Sequence, residues 1–72
     1  MITKEIAATL THGNILYSKT LKNADKTPVR CRVNGKLITW KTRPLEFKLP
    51  VKHGLRTCFY ITEQNCMHWE VA

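Results

Sequence analysis

The hydrophobic pattern begins with a helical spacing near the N terminus. Three apolar residues recur there every four positions: Ile2, Ile6 and Leu10. Thr3 is a candidate N-cap, and Gly13 stands where helices often end. These features predict a short helix over about residues 4–11.

After Gly13 the pattern changes to segments that are typical of β-strands. Residues 14–22 are rich in β-favouring side chains and predict a strand, and Lys22–Pro28 supplies loop residues. Two later segments alternate apolar and polar residues, with the inward positions predicted to be Phe47, Leu49 and Val51, then Leu55, Thr57, Phe59 and Ile61. Pro50 predicts that the first of these is an edge or bulged strand, because proline donates no ladder hydrogen bond. Lys52-His53-Gly54 predicts the turn between them.

The C-terminal segment predicts a turn and one more strand. Thr62-Glu63-Gln64-Asn65 has the composition of a helical start, which predicts a single 3₁₀ or α turn. A final short strand is expected from Met67 to Val71, with Trp69 packed on the same face as those two residues.

Asn34-Gly35 predicts a two-residue type I′ hairpin, because both turn positions need a positive φ. The pairs would be Val33 with Lys36, Arg32 with Leu37, Cys31 with Ile38, Arg30 with Thr39, and Val29 with Trp40. In that register Val29, Cys31, Val33, Ile38 and Trp40 face inward, while Arg30, Arg32, Leu37, Thr39 and Lys41 face outward. The pairing thus favours Trp40 as a core residue over the alternative of a base-stacking platform.

Several short strands in a 72-residue chain predict one domain, residues 1–72, of a mainly β class. Leu10-Thr-His-Gly13 before Ile15-Leu16-Tyr17, with a 3₁₀ turn expected at residues 62–66, resembles the architecture of SH3-like small barrels, including KOW-type domains of translation and transcription factors. We therefore expect such a barrel, or a strongly bent antiparallel sheet, with a short N-terminal helix. An α+β fold with the helix on a four-stranded sheet is the alternative.

Composition favours a binding module over an enzyme. A chain this short has little room for a catalytic cleft, and its five carboxylates are dispersed. The three cysteines are an odd number without an export signal, and together with the histidines they lack the paired spacing of zinc sites. We therefore expect no metal, no cofactor, no membrane span and a cytoplasmic location.

Charge is the strongest functional signal. Twelve Lys and Arg residues oppose five Asp and Glu residues, for a formal charge of +7, and eleven of the twelve cations lie between Lys19 and Arg56. This asymmetry favours a surface that faces a polyanion, although excess charge also serves solubility alone. The candidate nucleic-acid contacts are Arg30, Arg32, Lys41 and Arg43, helped by Lys36, Lys48, Lys52 and Arg56, with Tyr60 as the exposed aromatic residue.

Two functions follow. The first is binding of RNA or DNA through phosphate contacts, which requires that the cations converge on one face. The second is a protein-interaction module that offers an acidic partner or a peptide the edge strand near Pro50, or a groove lined by His53, Tyr17 and Tyr60.

Overall fold

The structure, a computed structural model, describes all of residues 1–72. In chain order its elements are the helix α1 (Lys4–Thr9), the strands β1 (Ile15–Lys22), β2 (Pro28–Val33), β3 (Ile38–Trp40), β4 (Arg43–His53) and β5 (Thr57–Thr62), a 3₁₀ turn (Cys66–His68) and the strand β6 (Trp69–Val71). Thr3 caps α1, since its Oγ1 accepts a hydrogen bond from the Ile6 N–H at 3.1 Å. The mainly β class with a short N-terminal helix is confirmed. With six residues, the helix α1 is too short to span a bilayer.

All six strands form one antiparallel sheet. Its main path runs β5-β4-β2-β1-β6, and β3 pairs with β4 on the same side as β2. No pairing joins β5 to β6, so the sheet is open and a closed barrel is not formed by its hydrogen bonds.

The hairpin predicted at Asn34-Gly35 is wrong. β2 and β3 run in the same direction along β4, with Val33 opposite Val51 and Ile38 opposite Lys48. Residues 34–37 form a bulge between β2 and β3, which together act as one interrupted strand beside β4. A two-residue turn does occur at Lys41–Thr42, where it joins β3 to β4.

Packing against β4 explains why Asn34-Gly35 forms a bulge. Asn34 does not have the positive φ that a type I′ turn requires, and its N–H donates to the Pro50 carbonyl at 2.8 Å. Gly35 has φ of +144°, and a Cβ built there would lie 2.9 Å from Pro50 Cγ. The glycine therefore permits a close approach to β4 and does not close a hairpin.

Pro50 lies in the central strand, so the predicted edge strand at this position is wrong. β4 pairs with β5 on one side and with β2 and β3 on the other. The N–H and C=O of a strand residue point to the same side. The missing N–H of Pro50 therefore faces the Asn34 bulge, where no ladder bond is required.

The core confirms the alternation predicted for β2 and β4. Its buried side chains include Leu16, Cys31, Val33, Phe47, Leu49, Val51, Ile61, Cys66 and Trp69, closed at one end by Ile2 and Ala7 from the N-terminal segment. Trp69 is a core residue as predicted, and Phe59 packs on it with ring centroids 5.5 Å apart.

Several predicted core positions are wrong, both within the strands and in the turns. Trp40 is only half-buried and Ile38 is exposed, because β3 pairs with β4 and not, as predicted, with β2. Leu37 instead packs against the core from the bulge. Further exposed positions are Leu55 in the β4–β5 turn, Thr57 at the start of β5, Met67 in the 3₁₀ turn and Val71 at the end of β6. The β4–β5 turn itself comprises residues 54–56, after Lys52 and His53, which belong to β4.

Candidate functional site

Four predicted cations share the outer face of the sheet. Arg30 and Arg32 alternate with the buried Cys31 and Val33 on β2, and Lys48 and Lys52 alternate with buried residues on β4. We call Arg30, Arg32, Lys48 and Lys52 the cationic face. The alternation of the strands positions these side chains, because the inward residues fix which residues point out.

The centre of the cationic face is a pair of like charges. Arg32 lies directly opposite Lys52 in the β2–β4 ladder. Directly opposed like charges on one face destabilise a sheet. The same cross-strand row continues to Ile15 on β1 and Cys58 on β5, neither of which supplies a negative charge.

No carboxylate forms a salt bridge with the cationic face, although Glu46 and Glu63 share a groove with Lys48. The three salt bridges of the protein join Glu70 to the N-terminal ammonium, Glu70 to Lys19, and Arg43 to Glu46. None of them involves the four cations of the face. Their charge is therefore available to an external anion.

A shallow pocket of about 400 Å³ lies beside the like-charge pair. Its lining combines cations with apolar and small residues: Arg30, Arg32 and Lys52 with Ile15, Cys31, Gly54 and Leu55. Ile15 is 40% exposed and Leu55 is 84% exposed, so both side chains are accessible from solvent. We call this the Ile15–Leu55 pocket. It combines a positive rim with accessible apolar side chains.

Tyr60 lies on the same outer face but is already in contact with a cation. The residue is 47% exposed, and the Lys48 ammonium lies 5.5 Å from the centroid of its ring. A cation over one ring face leaves the edges and the opposite face for a ligand. Tyr60 is opposite Pro50 in the ladder, which places it between Lys48 and Lys52.

The other predicted cations are not brought into the cationic face. Lys36 lies on the Asn34 bulge beside the α1 segment, and Lys41 lies in the β3–β4 turn. Arg43 forms the salt bridge with Glu46 and lies 5.9 Å from the Trp40 ring centroid. Arg56 is exposed in the β4–β5 turn and directly follows Leu55, which lines the Ile15–Leu55 pocket.

Trp40 contributes to a different groove, whose charge is mixed. The charged residues of this groove are two cations, Arg43 and Lys48, and two carboxylates, Glu46 and Glu63. Its other lining residues are Trp40, Phe47, Thr62 and Gln64. Glu63 also accepts a hydrogen bond from the Phe47 N–H at 3.2 Å. Carboxylates at this position oppose the approach of a polyanion.

The thiols and histidines form no cluster. All three cysteines are unpaired, and no group of three or more His, Cys, Asp or Glu side chains is placed to hold a metal ion. His53 Nδ1 lies 2.7 Å from the Arg30 carbonyl oxygen, which ties the end of β4 to β2. Burial raises the pKa of the Cys31 thiol to about 12.

Sequence reasoning missed two pocket residues. The alternation predicts that Leu55 lies on the inward face of a strand, although it follows Gly54 at a position where a turn also fits. Ile15 precedes the buried Leu16, and two adjacent apolar residues give no alternation from which to assign the outward one.

No protein-family model, curated protein or solved structure matches this chain.

Proposed function

We propose that this protein is a nucleic-acid-binding module that contacts phosphates through the cationic face. One observation carries the proposal: Arg32 and Lys52 are directly opposed, with no carboxylate to neutralise them. An anion bound between them would remove the repulsion that the unliganded sheet carries.

The spacing of the cations supports a chain of phosphates as the ligand. Arg30 and Arg32 are two residues apart on one strand, which separates them by about 6–7 Å. This distance is close to the phosphate spacing of an extended strand, and Lys52 adds a third contact about 5 Å to the side. Affinity would arise mainly from phosphate contacts and would fall with salt.

Solubility alone is a weaker explanation of this charge. Charges that only keep a protein monomeric are best dispersed with both signs mixed. Two cations that face each other across a ladder carry a repulsion that the same charges would avoid if they were dispersed. The arrangement is better explained by a ligand that occupies the site between them.

The protein-interaction alternative loses two of the features on which it rested. The strand near Pro50 is central and presents no free edge, and His53 Nδ1 lies 2.7 Å from the Arg30 carbonyl oxygen. Of its other groove residues, Tyr60 is exposed and Tyr17 is half-buried on β1. An acidic peptide nevertheless carries the charge that the cationic face would attract, so polyglutamate is a useful competitor in the test.

Free cysteines support a reducing compartment such as the cytosol as the place of action. Cys31, Cys58 and Cys66 are all unpaired, and structural disulfides are typical of oxidising compartments.

The experiment is a fluorescence-anisotropy titration with short RNA and DNA oligomers at several salt concentrations. Four phosphate contacts predict a slope of log K against log salt of about −3 for a single strand. The test variant is R30E/R32E. The matched control is K22E/K36E, which has the same change of charge on exposed lysines outside the cationic face.

The expected result is that R30E/R32E abolishes binding at moderate salt while K22E/K36E weakens it slightly. Equal losses in the two variants would show that net charge, and not the cationic face, determines binding. Absence of binding by the unaltered protein at low salt, or stronger binding of polyglutamate, would reject the nucleic-acid function.

A further inference from the structure

The Ile15–Leu55 pocket combines two surfaces that a simple phosphate site does not need. Arg30, Arg32 and Lys52 form its positive rim, while Ile15 and Leu55 offer accessible apolar surface. We propose that this pocket receives an unstacked nucleobase, so that the protein prefers single-stranded over double-stranded nucleic acid. This inference rests on the proposed nucleic-acid function and specifies its ligand.

The composition of the pocket matches one nucleotide with its neighbouring phosphates. A base has two apolar faces, and the phosphates on either side carry the negative charge that the rim attracts. The volume of about 400 Å³ lies within the range of small-ligand pockets, about 300–1,000 Å³. The guanidinium planes of Arg30 and Arg32 add surfaces on which bases stack.

A duplex fits the pocket less well than a single strand does. Bases within a duplex are stacked and paired, and their phosphates form the outer surface. A duplex would therefore contact the rim and leave Ile15 and Leu55 uncovered. A single strand can turn a base out of its stack at a lower energetic cost.

The experiment compares three probes of equal length, about 10 nucleotides, the scale of a small β-domain site. They are oligothymidylate, the same strand with several abasic positions, and a duplex. The test variant is Leu55→Ser, and the matched control is Leu45→Ser. Both leucines are almost fully exposed, 84% and 83%, but Leu45 lies near the β3–β4 turn, outside the pocket.

We expect oligothymidylate to bind the unaltered protein about tenfold more tightly than the abasic strand or the duplex. Leu55→Ser should weaken oligothymidylate binding about fivefold, with little effect on the abasic strand and no change in the salt slope. Leu45→Ser should leave all three affinities unchanged.

The outcomes separate this inference from the proposed function. Equal binding of all three probes, with R30E/R32E still abolishing it, would overturn the base pocket and leave phosphate binding intact. Equal effects of Leu55→Ser and Leu45→Ser would also overturn the pocket. No binding of any probe would reject both proposals.

Discussion

Replacing Arg32 with glutamate should stabilise the fold while it destroys the proposed binding site. Arg32 opposes Lys52 directly, so Arg32→Glu converts a like-charge pair into an opposite-charge pair. Both residues lie on the outer face, and the substitution leaves the core unchanged. Stability and binding should therefore change in opposite directions.

The size of the effect follows from the ladder geometry. Loss of the repulsion and gain of an attraction together are worth about 1 kcal/mol for an accessible cross-strand pair. The lower β propensity of glutamate offsets part of this gain. For a domain of this size the remainder raises Tm by about 2–5 °C. In 1 M salt, where the Debye length is about 3 Å, most of the gain should disappear.

Two variants isolate the charge pair. Arg32→Gln removes the repulsion without adding an attraction, so its Tm should lie between those of the unaltered protein and Arg32→Glu. In a Lys52→Gln background, Arg32→Glu should give no further gain, because its partner is absent.

The assay is thermal unfolding followed by circular dichroism at low and high salt, with oligonucleotide binding measured on the same samples. A Tm for Arg32→Glu that equals that of Arg32→Gln at low salt would refute the pairing of Arg32 with Lys52. A stabilised Arg32→Glu variant that still binds oligonucleotides would refute the role of the pair in binding.

Three further predictions concern the scaffold. Gly35→Ala should lower Tm by at least about 4 °C more than Gly13→Ala, because both glycines have positive φ but only Gly35 leaves no room for a Cβ; an equal loss would contradict the contact of the bulge with β4. Ellman's reagent should titrate one thiol per chain rapidly, and Cys58→Ser should remove that phase, since the other two cysteines are buried. Hydrogen bonds from the hydroxyl and N–H of Thr27 hold the pKa of Asp25 below its usual value. The stability from this lowered pKa is present above the unfolded pKa and is lost as the pH falls through the folded pKa, so Asp25→Asn should lose less stability than the unaltered protein below about pH 4.

Strand positions were predictable where one face of the strand is buried. The alternation in β2 and β4 identified both the inward residues and the outward cations, because a period of two leaves each residue one face. The Thr3 cap identified the start of the helix, but the apolar spacing did not identify its buried face, since Ala7 is buried and Ile6 is exposed.

Pairing was not predictable, because local turn signals compete with tertiary contacts. Asn34-Gly35 has the strongest hairpin signal in the chain, yet it forms a bulge whose Asn34 N–H bonds to Pro50 and whose Gly35 packs against that ring. Pro50 suggested an edge strand because proline has no N–H to donate to a neighbouring strand. The sequence does not show that the neighbour at this position is a bulge, which needs no such hydrogen bond. Gly35 and Pro50 each indicate a departure from regular strand pairing. In the structure the two departures lie opposite each other, at the bulge.

In the candidate site, too, the outward face of each strand was predictable and the pairing between strands was not. Outward cations on β2 and β4 followed from the alternation, but their meeting at the Arg32–Lys52 pair depends on the β2–β4 register. The pocket residues Ile15 and Leu55 come from β1 and from a turn, so that only the folded chain brings them to these cations.

The most direct measurement is an NMR titration of the labelled protein with a short single-stranded oligonucleotide. Binding through the cationic face predicts that amide shifts concentrate at residues 30–32, 48–52 and 54–55, while α1 and the Lys41–Thr42 turn stay unchanged. Shifts centred on α1 or on the Trp40 groove, or no shifts at low salt, would contradict the proposal that this face binds nucleic acid.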